Sequence, residues 1–357
     1  MKTKKEELKS LLSLKIMTGS LVAKWMPRPH VGDRTKKLQA TMLRKYLGLS
    51  PKEYRQLLVR MSNTVEQKMC SKDWDAIEYS KLPSKAISGY MKAFGKRDYE
   101  RFTKYLDSLK KGETKINAGA VYPYDIIKNL NNGNSNGADA QWNALPNFLE
   151  GNKERLLPVC DVSGSMTCPA GGGTLTCMDV CISLGLYISE RNVGMFKDAF
   201  VTFSSRPELQ YLKGSLSDRY SQLKRAHWEM STDIEAMYRM VLNQAVKHNV
   251  PADEMPTMLI IFSDMEFNSA TIRSDTAQAM VERMYADAGY VLPKIVYWNL
   301  HARNDNFPVQ FDKKGTCLVS GFSPSILKSL LAGKDFTPYA MMMDVVKSER
   351  YANINLG

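Results

Sequence analysis

The chain has 357 residues, 44% apolar and 24% charged, with a net charge of +12, a balance that excludes wholesale disorder and allows a sizeable buried core in more than one domain. Its apolar runs, such as Met258–Phe262 and Ala340–Met343, are far shorter than a bilayer span, so no membrane segment is expected. Met1–Lys15 is basic and amphipathic but lacks the apolar core and small-residue cleavage site of a signal peptide, which makes a cytoplasmic protein the expectation. From Lys4 to about Leu109 the pattern is helical. Thr35–Leu47 sets Leu38, Met42, Leu43 and Tyr46 on one face. After Gly48, a second helix is expected with Ser50 as N-cap, Pro51 in first position and Glu53 in the first turn, running through Leu57, Leu58, Met61 and Val65. Ser71 reads as a further cap before Asp73-Trp74, and Asp98–Lys110 as a helix with Tyr99, Phe102, Leu106 and Leu109 apolar. Residues 1–128 are thus expected to form a basic, all-helical module. Residues 129–150, rich in Asn and Gly at their start, read as a linker or loop.

From residue 151 to 357 the pattern changes to alternating strands and helices. Leu156–Val162, Ala199–Phe203, Gln210–Leu212, Thr257–Ser263, Lys294–Leu300 and Thr316–Ser320 read as strands. Thr176–Arg191, Thr232–His248, Asp275–Ala288, Ser323–Leu331 and Tyr339–Arg350 read as helices. Such alternation implies a doubly wound, mostly parallel sheet, whose ligands sit at the carboxyl ends of the strands. The expected fold class is therefore all-α followed by α/β.

Charge divides along the same line. Residues 1–150 carry 28 Lys and Arg against 15 Asp and Glu, whereas residues 151–357 carry 21 against 22. The whole positive excess lies in the helical half, which points to a polyanionic partner, RNA being the leading candidate. Lys24, Arg28, Arg34, Lys36, Lys37, Arg44 and Lys45 are the candidate contacts, set among aromatics as in Lys24-Trp25 and Lys45-Tyr46. A solvated helical surface with core aromatics explains the same residues without a ligand. Six cysteines without a CxxC pair do not make a disulfide framework; Cys177 and Cys181, four apart on an apolar helical stretch, read as buried free thiols, and a zinc site from Cys168, Cys177 and Cys181 lacks the usual spacing.

The chemistry-bearing pattern is Asp161-Val162-Ser163-Gly164-Ser165, directly after the apolar run Leu156–Cys160. An acid and two hydroxyls at alternate positions, on a loop leaving a buried strand, can converge their oxygens on one point. Hard donors of that kind suit Mg²⁺, with Ca²⁺ or Mn²⁺ as alternatives. Ser231-Thr232-Asp233 opens a long helix, and Asp264 follows the buried strand Thr257–Ser263. Taken singly, these residues are as well explained as helix caps and turns; together they resemble the metal-ion-dependent adhesion site of von Willebrand factor A-like (vWA) domains. That resemblance implies a vWA fold for residues 151–357, with Asp161, Ser163, Ser165, Thr232 and Asp264 as ligand positions. It also implies an open coordination position completed by a partner's carboxylate or other anionic oxygen. Further stretches, among them Leu43–Leu49, Lys115–Ala120, Phe262–Phe267 and Val296–Leu300, are similar to an uncharacterised family that joins a basic helical region to a vWA-like domain. In architecture the chain also distantly resembles the TROVE proteins such as the Ro autoantigen, which bind RNA.

Three functions follow as expectations. The first is a non-enzymatic protein that binds a ligand through a metal and RNA through its basic half. The second is a protein-interaction adaptor, for instance a co-factor of an AAA-type ATPase, without nucleic acid. The third is a metal-dependent hydrolase, for which the sequence supplies no GxSxG or Walker A pattern and no histidine pair of metal-ligand spacing.

Overall fold

The computed structural model describes residues 26–29, 32–62, 64–111, 113–114, 121–131, 135–170, 175–204, 206–226, 233–264, 275–301, 316–324, 326–331, 342–343 and 346–347. Two compact units divide it: one takes the chain up to Leu82 together with Lys92–Tyr105, the other Pro83–Met91 and the chain from Leu106. Among the described residues no helix is long and apolar enough to cross a membrane.

In the first unit, helix α1 (Arg34–Leu47) is capped by the Asp33 carboxylate, which accepts from Lys36 N at 2.9 Å, and ends at Gly48 in the left-handed region. Glycine suits that turn because φ is positive there (69°). Helix α2 (Pro51–Met61) starts with the capping box expected of Ser50 and Glu53. It stops at Met61, and Val65 begins a separate short helix, α3 (Val65–Cys70), for which Ser71 is the C-cap and not the N-cap of a later one. The apolar face expected of α1 is also corrected. Leu38, Met42 and Tyr46 are 60%, 62% and 41% exposed, while Ala40 and Leu47 are buried with Tyr54 and Leu58, and Leu43 packs against them. Helices α4 (Ser84–Arg97) and α5 (Tyr99–Lys110) contribute Lys92–Tyr105 to this unit, their remaining residues belonging to the other. Tyr79, Phe94, Phe102 and Tyr105 form an aromatic cluster in which the Tyr79 hydroxyl donates to Asp98 at 2.6 Å. Arg101 bonds the same carboxylate at 2.9 Å and the Trp74 and Ile77 carbonyls.

The second unit is built on a six-stranded sheet. Its strands are β1 (Leu156–Asp161), β2 (Ala199–Phe203), β3 (Leu209–Tyr211), β4 (Met258–Ser263), β5 (Lys294–Asn299) and β6 (Thr316–Ser320), in the order β3-β2-β1-β4-β5-β6. All neighbours are parallel except the edge strand β3. This is the doubly wound architecture read from the sequence. Alternate residues feed opposite faces, as a period of two requires. Leu156, Cys160, Ile260, Phe262 and Trp298 pack with helix α8 (Cys177–Arg191), and Leu157, Val159, Leu259, Ile261 and Tyr297 with helices α10 (Ile234–Lys247) and α11 (Asp275–Asp287).

Of residues 129–150, expected as a linker or loop, 129–131 and 135–143 are helical, whereas 144–150 are turns and irregular backbone. Helix α6 (Pro123–Asn131) packs on α8, and helix α7 (Ser135–Asn143) buries Ala138, Gln141 and Trp142. Gln141 donates to Ser84 O at 3.0 Å, and the Trp142 indole donates to Glu190 at 2.6 Å. Helix α9 (Leu216–Lys224), which sequence reading did not anticipate, and helix α12 (Ile326–Leu331) complete the described elements. The helix expected over Tyr339–Arg350 lies largely outside the described residues.

Candidate metal centre

The chain turns away from β1 in one direction, through α8 to β2, and returns on the other side of β1 to form β4. The carboxyl ends of β1 and β4 therefore lie side by side where the strand order reverses, the crevice in which open α/β sheets take ligands. Asp161 is the last residue of β1 and Asp264 the first after β4. Parallel pairing through Cys160 and Phe262 sets these exits at the same level.

After Asp161 the chain turns through Ser163 into a single 3-10 turn, Gly164–Thr167. The Ser163 N–H donates to Asp161 Oδ1 at 2.9 Å, folding the loop back over the strand end. That turn brings Ser163 Oγ and Ser165 Oγ to 3.0 Å from one another. The second Asp161 oxygen accepts from the Ser263 hydroxyl at 2.6 Å. Ser263 was missed in the sequence because a serine ending a buried strand carries no pattern of its own; only its place beside Asp264 hints at it. Below these oxygens the Cys181 thiol lies 3.6 Å from Asp161 O and 3.7 Å from Phe262 O.

Asp161 is fully buried and Asp264 is 4% exposed. Burial pushes the Asp161 carboxyl up to about 6, the negative charge of Asp264 adds to the rise, and the hydrogen bonds from Ser263 and Ser163 oppose it. Two carboxylates removed from water beside two hydroxyls form an oxygen-only donor set that fits a hard divalent cation. Among the described residues no group of three or more His, Cys, Asp or Glu is placed to hold a metal, so a cation here would need the hydroxyls beside the two carboxylates. Thr232 lies outside the described residues. Its neighbour Asp233 is the N-cap of α10, accepting from Ala236 N at 3.0 Å.

The candidate nucleic-acid residues are placed unevenly. Lys24 lies outside the described residues. Arg28 donates to Ser62 Oγ at 2.8 Å and Arg44 to Leu49 O at 2.9 Å, so both have structural roles. Lys36 pairs with Asp33 at 3.2 Å. Arg34, Lys37 and Lys45 are exposed, and helical spacing puts them on the face that carries Leu38, Met42 and Tyr46. Helix α1 contains no acidic residue.

Residues 155–353 match the family model described as Domain of unknown function (DUF7788), and residues 20–153 match a second, Domain of unknown function (DUF2828). The chain belongs to the DUF7788 family. It is 30% identical over 353 residues to uncharacterized protein L728 of Acanthamoeba polyphaga mimivirus, a match covering 92% of this chain and 60% of that protein, so the chain spans about three fifths of its relative's length. Among solved structures, the Ro (RSR) protein of Deinococcus radiodurans superposes with a TM-score of 0.48 at 14% identity, over 90% of this chain and 63% of that one. Manganese-loaded TRAP protein of Plasmodium vivax gives 0.27 at 13% identity, over 55% and 73%. At these scores and identities neither likeness carries an argument about function.

Proposed function

We propose that this member of the DUF7788 family is a non-enzymatic binding protein. Asp161, Ser163, Ser165 and Asp264, joined by Thr232, would hold a divalent cation, Mg²⁺ first with Ca²⁺ or Mn²⁺ as alternatives, and the basic helical half would bind RNA. The observation that carries the first part is the convergence of two carboxylates and two hydroxyls at the adjoining carboxyl ends of β1 and β4. When bound there, the cation supplies a Lewis-acidic position. The protein's own part is to orient the donors. Ser163 N–H and Ser263 hydroxyl each fix one Asp161 oxygen, and the 3-10 turn sets the two serine hydroxyls together. Two carboxylates balance the charge of a divalent cation and the hydroxyls add none, so an open coordination position would take an anionic oxygen from a partner. A hydrolytic centre needs a base as well as a metal-activated water. In this reading Asp161, whose two oxygens each accept a hydrogen bond, serves as an oriented donor and not as that base.

Support for RNA is the face of α1, where Arg34, Lys37 and Lys45 alternate with Leu38, Met42 and Tyr46. Cations match phosphates, and Tyr46 offers a ring for base stacking. Exposed Leu38 and Met42 favour a second reading, an adaptor that packs an acidic protein surface on the same face. Recovery of the tagged protein from cells in Mg²⁺ or in EDTA, with bound RNA and protein both identified, separates the two. RNA lost at high salt supports the first reading. A protein partner lost in EDTA, with no RNA, replaces it by the second.

A further inference from the structure

Two thiols face one another just behind the serine loop. Cys168 directly follows the 3-10 turn that carries Ser165, Cys177 is the first residue of α8, and their sulfurs are 3.4 Å apart. Backbone pairing holds them there. Pro169 and Thr176 form an antiparallel bridge, Cys177 N donates to Cys168 O at 3.0 Å, and Ala170 N to Leu175 O at 2.8 Å. The two cysteines differ in access: Cys168 is partly exposed, whereas Cys177 is buried and its thiol donates to Leu300 O at 3.2 Å. A disulfide requires the sulfurs to close to about 2.0 Å, a shift within reach of side-chain rotation.

We propose that Cys168 and Cys177 form a thiol–disulfide modification site, in which Cys168 reacts with a low-molecular-weight disulfide from solvent and Cys177 resolves it. The Cys168 thiolate attacks one sulfur of glutathione disulfide; the old S–S bond breaks and one glutathione thiolate leaves with the electron pair. The Cys177 thiolate then attacks the Cys168 sulfur of the mixed disulfide and expels the second glutathione. Two protein thiols are oxidised to one disulfide, one glutathione disulfide is reduced to two thiols, and the two cysteine protons pass to the released thiolates. Closure staples the far end of the Ser163–Ser165 loop to the start of α8 and withdraws a donor from the Leu300 carbonyl. None of this depends on metal binding at the neighbouring oxygens.

The remaining cysteines serve as internal controls. Cys160 and Cys181 are fully buried between α8 and the sheet, Cys70 is exposed, and burial pushes the Cys317 thiol up to about 11. The folded full-length protein is treated with glutathione disulfide near neutral pH, alkylated and mapped by peptide mass. The expected result is a Cys168–Cys177 cross-linked peptide two hydrogens lighter than its reduced pair, with Cys160 and Cys181 alkylated only after denaturation. Cys177→Ser should trap Cys168 as the glutathione mixed disulfide, and Cys168→Ser should leave Cys177 unmodified, with circular dichroism unchanged in both. A stable mixed disulfide at Cys168 in the unsubstituted protein, no reaction at either thiol, or a link that forms only in denaturant would overturn the assignment.

Discussion

The hydroxyl of Ser263 donates to Oδ2 of Asp161 across 2.6 Å, joining the end of β4 to the end of β1 inside the buried rim of the sheet. A buried carboxylate oxygen without a donor costs the full desolvation penalty, so this bond both orients Asp161 and offsets part of the cost of burying it. Ser263→Ala is expected to lower unfolding free energy by about 1–3 kcal/mol and to weaken divalent-cation affinity. Denaturant titration and calorimetry read the two effects. A variant as stable as the parent, with unchanged affinity, would remove Ser263 from the site.

Proton and cation compete for Asp161. Burial raises its carboxyl from 3.8 to about 6, with Asp264 adding to the rise. The folded, metal-free chain therefore holds this proton more tightly than the unfolded chain does. The stability the proton contributes is fully present below 3.8 and is lost as pH rises through about 6. A bound cation reverses this by stabilising the carboxylate. Thermal melts with and without Mn²⁺ should show a gain that is large near pH 8 and small near pH 5. A gain independent of pH would mean that the cation binds elsewhere.

Trp142 belongs to the core of the sheet-containing unit. It is buried, its indole donates to Glu190, and Arg191 lies over its ring at 5.4 Å. Trp142→Ala is expected to cost about 3–5 kcal/mol through the cavity it leaves. A loss below about 1 kcal/mol, read by chemical denaturation, would be the behaviour of a surface linker residue.

Exposed cations on α1 are expected to affect binding and not folding. Arg34→Glu, Lys37→Glu and Lys45→Glu combined should leave the melting temperature nearly unchanged, while single-stranded RNA binding weakens and its salt slope falls by about 2, at about 0.7 per phosphate contact. An unaltered slope would exclude this face from contact with RNA.

What could be read from the sequence follows from physical cause. β1 and β4 are uninterrupted apolar runs with polar exits, so Asp161 and Asp264 could be placed before any coordinates. The serine hydroxyls were legible because the turn that brings them together is local. On α1, periodicity identified a helix but not its buried side, since Leu38-Met42-Tyr46 and Ala40-Leu43-Leu47 are both apolar stripes and tertiary packing chose the second. The Asn- and Gly-rich beginning of residues 129–150 masked the burial of Ala138, Gln141 and Trp142, whose partners Ser84 and Glu190 are distant in sequence. Ser263 escaped for the same reason, its bond reaching back 102 residues.

Calorimetric titration of the purified full-length protein with Mg²⁺ and Mn²⁺, beside the Asp161→Ala, Ser163→Ala double variant, tests the metal centre most directly. One saturable site in the parent, absent from a double variant with unchanged circular dichroism, is the predicted result. Equal binding by both proteins, or none by the parent, would contradict it.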